Sequence, residues 1–381
     1  MFGILAILIV RLRSKIMKVC YITSACFILL CGCAVNGGRM SFDDVTVIEK
    51  NALTESVEKG EDVTFPVTDV RNLRIDRDYI YIVGQNKGGF VTVFDKTDVT
   101  TPKGAFLHKG NGPGEVIFTP SLSEGFTIKG KDDCFSGIVF DDKNHIVHYD
   151  ADLKGEEVKY DSRIILDVSF PKMCYIPVND STFFFRRIPQ DQRTQPRFFM
   201  TLSGNEMVMP PMEILNKATV SVADGYMLNI MSSLNVYNPD NGIIVEACLH
   251  IPVINIYKTD GSFMKSIRIG KKRENIEALC KECKATRYGA MRDTFKYIRG
   301  YDDYFAVLYS GALSYSSDIL GTRGPKPKLM IFDWKGNLLR NIQLPQYATS
   351  FEIDEDTDSL YLVDTAEGTV TCYPLTIDSL R

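Results

Sequence analysis

Phe90-Val91-Thr92-Val93-Phe94-Asp95 is a run of β-branched and aromatic residues that ends on an aromatic and then an acid. A run of this kind, bounded by polar turn residues, reads as a strand entering a tight turn. The same shape returns at His145-Ile146-Val147-His148-Tyr149-Asp150 and at Val253-Ile254-Asn255-Ile256-Tyr257-Lys258. It returns again at Leu329-Met330-Ile331-Phe332-Asp333 and at Val370-Thr371-Cys372-Tyr373. A weaker copy, Phe198-Phe199-Met200, is placed by its turn, because Ser203-Gly204-Asn205 aligns with Lys335-Gly336-Asn337. The six anchors are Phe94, Tyr149, Met200, Tyr257, Phe332 and Tyr373. Their mean spacing is about 56 residues, at the long end for the blades of a propeller.

Working outward, each anchor has a strand-like run upstream, at residues 79–83, 137–140, 182–186, 242–247, 304–309 and 360–363. A further run precedes most of these, as at 72–75 and 350–353, and a last one follows the turn, as at 262–269 and 338–344. The repeat unit is therefore four antiparallel strands, a to d from axis to rim. The expected fold is all-β, a six-bladed β-propeller of four-stranded blades. No linker interrupts the series, which argues against two β-sandwiches. The sixth copy ends at Leu375 without an outer strand, an open edge that favours aggregation. Two spare runs precede the first blade, at 45–48 and 63–67, and one of them should complete the last blade and lock the ring.

The N-terminus reads as an address. Lys18 precedes an apolar run at 21–30, and Leu30-Cys31-Gly32-Cys33 follows. Charge, apolar run and small residues before a cleavage site make a secretory signal. A Cys directly after the cut, preceded by Leu-x-Gly, resembles the bacterial lipobox, which implies lipidation of Cys33; the alternative is a plain secretory signal. Met17-Lys18 makes a natural beginning, so residues 1–16 read as a start-site misassignment. The expected organisation is a signal over 1–33, a flexible tether over 34–44 and a propeller over 45–381. The protein is then exported and anchored by lipid in the bacterial cell envelope, at the outer membrane.

Composition narrows the function classes. Of 381 residues, 45% are hydrophobic and 24% charged, enough for a large core. The net charge of −4 supplies no basic field to attract nucleic acid, so no nucleic-acid partner is expected. Cys280 and Cys283 sit within Leu-Cys-Lys-Glu-Cys, but no second pair follows at zinc spacing and the four histidines lie elsewhere. Two thiols one helical turn apart, or a local disulfide, are the readings left, and neither a metal nor a cofactor is expected.

Strand order sorts the loops onto two faces. The a–b turns are short and acidic, as in Asp76-Arg77-Asp78 and Asp354-Glu355-Asp356. The long b–c and d–a connections share the other face: 189–196, 271–293 and 310–327. The second has helical spacing, with Ile276, Leu279, Cys280 and Cys283 on one stripe. Long loops on a rigid scaffold are where binding usually resides. The candidate ligand-face residues are Arg186, Arg187, Arg193, Lys272, Arg287, Tyr288, Arg292, Tyr315 and Arg323. Guanidinium forks suit carboxylate or phosphate, so the expected ligand is polar or anionic. Lys109-Gly110-Asn111-Gly112-Pro113-Gly114-Glu115 lacks the Lys-Ser/Thr of a phosphate loop and reads instead as a tight turn at a blade junction.

The lipobox, the six strand units and the Gly110–Glu115 turn together resemble the TolB-like six-bladed propeller lipoproteins of Bacteroidetes. The resemblance runs over roughly residues 45–375 and implies a six-bladed propeller on an envelope lipoprotein. It implies no settled activity and assigns no catalytic residue. Two function classes follow. The first is a non-catalytic module that binds a glycan, a peptide or an envelope protein, attached to the membrane by its N-terminal lipid. The second is a propeller-type hydrolase or lactonase with a metal or carboxylate cluster at the channel mouth. The sequence contains no Gly-x-Ser-x-Gly, no His-Glu-x-x-His and no sialidase Asp-box, which favours the first.

Overall fold

Tyr79–Asn86 and Gly89–Asp95 are buried over almost their whole length, on both faces. Two-sided burial is why these strands read as near-continuous apolar runs rather than as an alternation. The computed structural model describes residues 38–110, 112, 115–117, 120, 126–140, 145–154, 157–165, 172–220, 228–271, 276–285, 292–313 and 325–376. Their strands form six antiparallel sheets, one per blade. Blade 1 is Asn72–Asp76, Tyr79–Asn86, Gly89–Asp95 and Asp98–Phe106; blade 2 is Lys129–Lys131, Cys134–Phe140, His145–Asp152 and Glu157–Ile165. Blade 3 is Lys172–Asn179, Thr182–Arg187, Arg197–Thr201 and Glu206–Met207; blade 4 is Ser233–Asn238, Ile243–Cys248, Val253–Lys258 and Met264–Ile269. Blade 5 is Arg292–Gly300, Tyr304–Leu313, Lys328–Asp333 and Leu338–Gln343, and blade 6 supplies Ser350–Asp354, Ser359–Asp364 and Thr369–Pro374 from the C-terminal end. All six anchors stand on the third strand of their blade, as the repeat requires.

The missing fourth strand of blade 6 comes from the N-terminal part of the chain. Glu61–Val63 pairs antiparallel with Thr369–Pro374, matching Val63 to Val370 and Asp62 to Thr371. The Thr371 hydroxyl donates to Asp62 Oδ1 at 2.9 Å. The closing strand thus overlaps the expected 63–67 run only at Val63. The other spare run, Val45–Ile48, lies elsewhere: it adds a parallel fifth strand outside Met264–Ile269 of blade 4. Thr54–Ser56 does the same for blade 5. The N-terminal segment therefore straps the rims of blades 4, 5 and 6 in succession. Part of the stretch read as a tether belongs to this strap. Met40 and Phe42 are buried, Asn255 Nδ2 donates to the Met40 carbonyl at 3.0 Å, and the Phe42 amide donates to Ser266 Oγ at 2.8 Å.

The core is a ring of clusters between neighbouring blades. Tyr79, Tyr81 and Val93 of blade 1 meet Phe135, Val139 and Tyr149 of blade 2. Ile80, Ile82 and Phe94, the alternate residues, face Val363 and Val370 of blade 6 instead. Blade 3, the weak copy, has an outer strand of only two residues. The helix Pro210–Leu215 makes up the deficit, packing Met212 and Leu215 into the cluster shared by blades 3 and 4. The d–a helix Ile276–Ala285 buries Ile276, Leu279, Cys280 and Cys283, the stripe expected from spacing. Cys280 and Cys283 are not joined in a disulfide.

A polar network is sealed between blades 3 and 4. Glu246 accepts two bonds from Arg197 Nε at 2.7 Å and one from the Tyr257 hydroxyl at 2.6 Å. Arg186 donates to Ser233 Oγ and, at 2.5 Å, to the Met231 carbonyl, and lies 3.9 Å from Glu246. Burial works to raise the Glu246 carboxyl, but the Arg197 and Arg186 charges outweigh it and hold it below the usual carboxylate range. Burial also pushes the nearby Cys248 thiol up to about 12.

A chain beginning at Asn51 loses the strand on blade 4 and should still melt in one transition, on the order of 10 °C lower by calorimetry. A chain beginning at Thr64 also loses the closing strand, and should lose that single transition and self-associate in light scattering. Glu246→Gln leaves two buried guanidinium groups without a counter-ion and should cost about 3–5 kcal/mol in urea unfolding at neutral pH. Because the folded-state pKa is depressed, the wild-type advantage is present above the usual carboxylate range. It should fade as the pH falls through the lower, folded-state value.

Candidate functional site

The first strands of the blades all run toward the face that carries the a–b turns, so their side chains stack in layers along the axis. Residues two apart share a side of a strand and stand about 6.5 Å apart along it. On blade 1 this gives Asn72, Arg74 and Asp76 in order toward the mouth; on blade 6 it gives Ser350, Glu352 and Asp354; on blade 5, Tyr297, Arg299 and then Tyr301. In the innermost layer the Tyr297 hydroxyl donates to Asn72 Oδ1 at 3.2 Å. Burial pushes the Tyr297 hydroxyl up to about 12, so it stays a neutral donor. Above this layer opens a funnel of about 560 Å³, lined by Arg74, Arg299, Glu352 and the a–b turns of four blades.

The middle layer carries two guanidinium groups and one carboxylate. Arg299 Nε donates to Glu352 at 3.1 and 3.3 Å, its Nη1 donates to the Gly300 carbonyl at 3.0 Å, and its plane covers the Tyr301 ring at 5.1 Å. Burial acts against the Arg299 charge, but Glu352 outweighs it and holds the group firmly protonated. Arg74 is different. It makes no hydrogen bond or ion pair with any described residue. Burial, and then repulsion from Arg299, lower its pKa, with Glu352 only partly offsetting them. An arginine stays charged regardless, so the funnel holds one cationic fork with no partner among the described residues.

The mouth is acidic. Asp76, Asp240, Asp302 and Glu355 stand around it, together with Arg77 and Lys129. Asp354 and Asp356 are taken by Lys96, at 2.7 and 3.2 Å, a contact that also stitches the c–d turn of blade 1 to blade 6. Among the described residues no group of three or more His, Cys, Asp or Glu side chains is placed to hold a metal ion.

The residues singled out from sequence are dispersed. Arg186 is fully buried in the network between blades 3 and 4. Arg187 pairs with Glu206 at 2.9 Å and covers the Phe198 ring at 5.0 Å. Arg193 is exposed. Arg292 donates to the Gly311 carbonyl at 3.2 Å and stands 3.9 Å from Glu282. Cys33, Lys272, Arg287, Tyr288, Tyr315 and Arg323 lie outside the described residues. On that same face the Gly110–Glu115 turn folds on itself: the Gly112 amide donates to Glu115 Oε2 at 2.6 Å. A Cβ on Gly110 would stand 2.0 Å from that carboxylate, so a larger residue there would displace the Glu115 side chain from this contact. Sequence reasoning passed over Arg74, Arg299 and Glu352. Their signal was a charge set inside an apolar first strand, as in Leu73-Arg74-Ile75 and Phe351-Glu352-Ile353.

Comparison with known proteins agrees with this architecture. The TolB-like 6-blade propeller-like family model matches residues 100–356. A comparison with curated proteins finds no match. Among solved structures, a member of the DUF4221 family from Bacteroides vulgatus is similar at 10% identity and a TM-score of 0.49, over 84% of this chain and 96% of that one. A protein of Bacteroides fragilis provisionally named as exported is similar at 11% identity and a TM-score of 0.47, over 86% and 99%. A luciferin-regenerating enzyme is similar at 9% identity and a TM-score of 0.41, over 81% and 91%. With six blades closed into a ring and a matching family model over more than half of its length, the chain belongs to the TolB-like 6-blade propeller-like family.

Proposed function

We propose that the protein is an exported lipoprotein of the bacterial cell envelope whose propeller binds a polar ligand bearing an anionic group. Export and anchoring rest on the sequence alone: Lys18, the apolar run at 21–30 and the lipobox-like Leu30-Cys31-Gly32-Cys33, with Cys33 as the lipidated residue. The single observation that supports the binding role is Arg74, a charged fork in a funnel with no partner among the described residues. A guanidinium in such a place matches a carboxylate or phosphate through paired N–H donors. A glycan acid, a peptide carboxylate or an acidic side chain of a partner protein all present that group. The site favoured by geometry is thus the a–b mouth, opposite the loop-rich face that carries Arg187 and Arg193.

The hydrolase reading draws support from the carboxylates around the same mouth. Against it, Glu352 is already tied to Arg299 and Asp354 to Lys96.

The test is ligand-induced thermal stabilisation and calorimetric titration with a panel of sugar acids, short peptides and lactones. At a ligand concentration of 100 times Kd the protein should gain about 2.7 kcal/mol of stability. Arg74→Met removes a charged hydrogen bond of about 1.5–3 kcal/mol and should weaken binding roughly ten- to a hundredfold. Arg187→Met and Arg193→Met should leave affinity unchanged. Loss of binding in those two variants, with Arg74→Met unaffected, would move the site to the loop-rich face. Turnover of a lactone abolished by Asp76→Asn would establish the enzyme instead.

A further inference from the structure

The funnel is charged in two layers of opposite sign, and the strands set their separation. Arg74 and Asp76 share one side of Asn72–Asp76, and Glu352 and Asp354 share one side of Ser350–Asp354. Two residues along a strand place these layers about 6.5 Å apart. The inner layer holds Arg74 and Arg299 against the single carboxylate of Glu352, an excess of one positive charge. One carboxylate on the ligand balances it; a phosphate dianion overshoots and has to pass the carboxylates of the mouth. At the mouth, Asp76, Asp240 and Asp302 make no ion pair with any described residue, and only Arg77 and Lys129 oppose them on the rim. Beneath the cationic layer the Tyr297 hydroxyl donates to Asn72 Oδ1, so the inner end of the funnel is lined by neutral polar groups on this side.

We propose that the ligand is a short zwitterion of about one peptide unit between its charges, bound carboxylate-down on Arg74 with its ammonium group among the mouth carboxylates. This rests on the reading that the funnel is the binding site. A dipeptide has the matching length, since two extended residues span about 7 Å. A single α-amino acid carries both charges on one carbon and cannot reach both layers. The Arg299 fork, already tied to Glu352 and the Gly300 carbonyl, positions the inner layer and leaves Arg74 to make the contact.

The probes are Ala-Ala, N-acetyl-Ala-Ala and free alanine, titrated by calorimetry at pH 7 into the purified protein and into Arg74→Met and Asp76→Asn. Circular dichroism and melting temperature verify folding of the variants. Ala-Ala should bind, with N-acetyl-Ala-Ala and alanine each at least about tenfold weaker. Arg74→Met should weaken Ala-Ala by roughly ten- to a hundredfold. Asp76→Asn should weaken Ala-Ala and leave N-acetyl-Ala-Ala unchanged or tighter, narrowing the gap between them. Equal binding of the acetylated and free dipeptides, lost in Arg74→Met, would overturn the zwitterion and leave the anion site standing. Alanine binding as tightly as Ala-Ala would overturn the length argument. No binding of Ala-Ala to the wild-type protein would overturn the proposal outright. The ligand panel across Arg74→Met decides the anion site separately.

Discussion

Three residues in extended conformation, Glu61, Asp62 and Val63, carry the closure on which the ring depends. A propeller is a sheet repeated around an axis, and every blade is buried by its two neighbours. An open ring would expose two faces at once: Ile80, Ile82 and Phe94 of blade 1, and Val363 and Val370 of blade 6. It would also expose the backbone edge of Thr369–Pro374, a template for pairing with another chain. Antiparallel pairing with Glu61–Val63 removes the edge, and the Lys96–Asp354 ion pair draws the same two blades together at the channel mouth. The strap that leads to the closing strand reinforces the rims of blades 4 and 5 on its way. These contacts join residues hundreds of positions apart, and such non-local pairing slows folding.

The same arithmetic of two guanidinium groups and one carboxylate occurs twice among the described residues, with opposite outcomes. Between blades 3 and 4 it is sealed: Arg197 pairs with Glu246, and the surplus cation, Arg186, is met by the Ser233 hydroxyl and the Met231 carbonyl. In the funnel it is open: Arg299 pairs with Glu352, while Arg74 has no partner among the described residues. A buried charge without a partner is costly in a permanently closed interior. In an open funnel the same charge is tolerated by water and remains available to a ligand. The contrast separates an arginine that holds blades together from one that is free to recognise something else.

Much of the architecture was legible in the linear chain. Two-sided burial makes each inner strand a continuous apolar run, and the aromatic anchor followed by a polar turn repeats six times, so blade number and strand order could be counted. The stripe Ile276, Leu279, Cys280 and Cys283 was legible as a helix face because its spacing is local. Blade 3 was faint because its outer strand shrinks to Glu206–Met207 and a helix fills its place, a substitution that leaves no strand pattern to read. Closure of the last blade by an N-terminal strand was legible, but the bounds of that strand were not, because Glu61–Val63 is polar and owes its conformation to its partner.

The candidate site divides in the same way. Sequence by itself determined the blade repeat, the direction of the first strands and the layering of side chains two residues apart, because each is a property of neighbours along the chain. It marked Arg186 and passed over Arg74, although the two look alike as charges within strands. Only the tertiary structure decided that Arg186 faces a carboxylate, a hydroxyl and a carbonyl from blade 4 and the connection before it, and that Arg74 faces an open funnel. The reason is physical: a charge is satisfied by whatever the fold brings within a few ångströms, and for these residues those groups come from other blades.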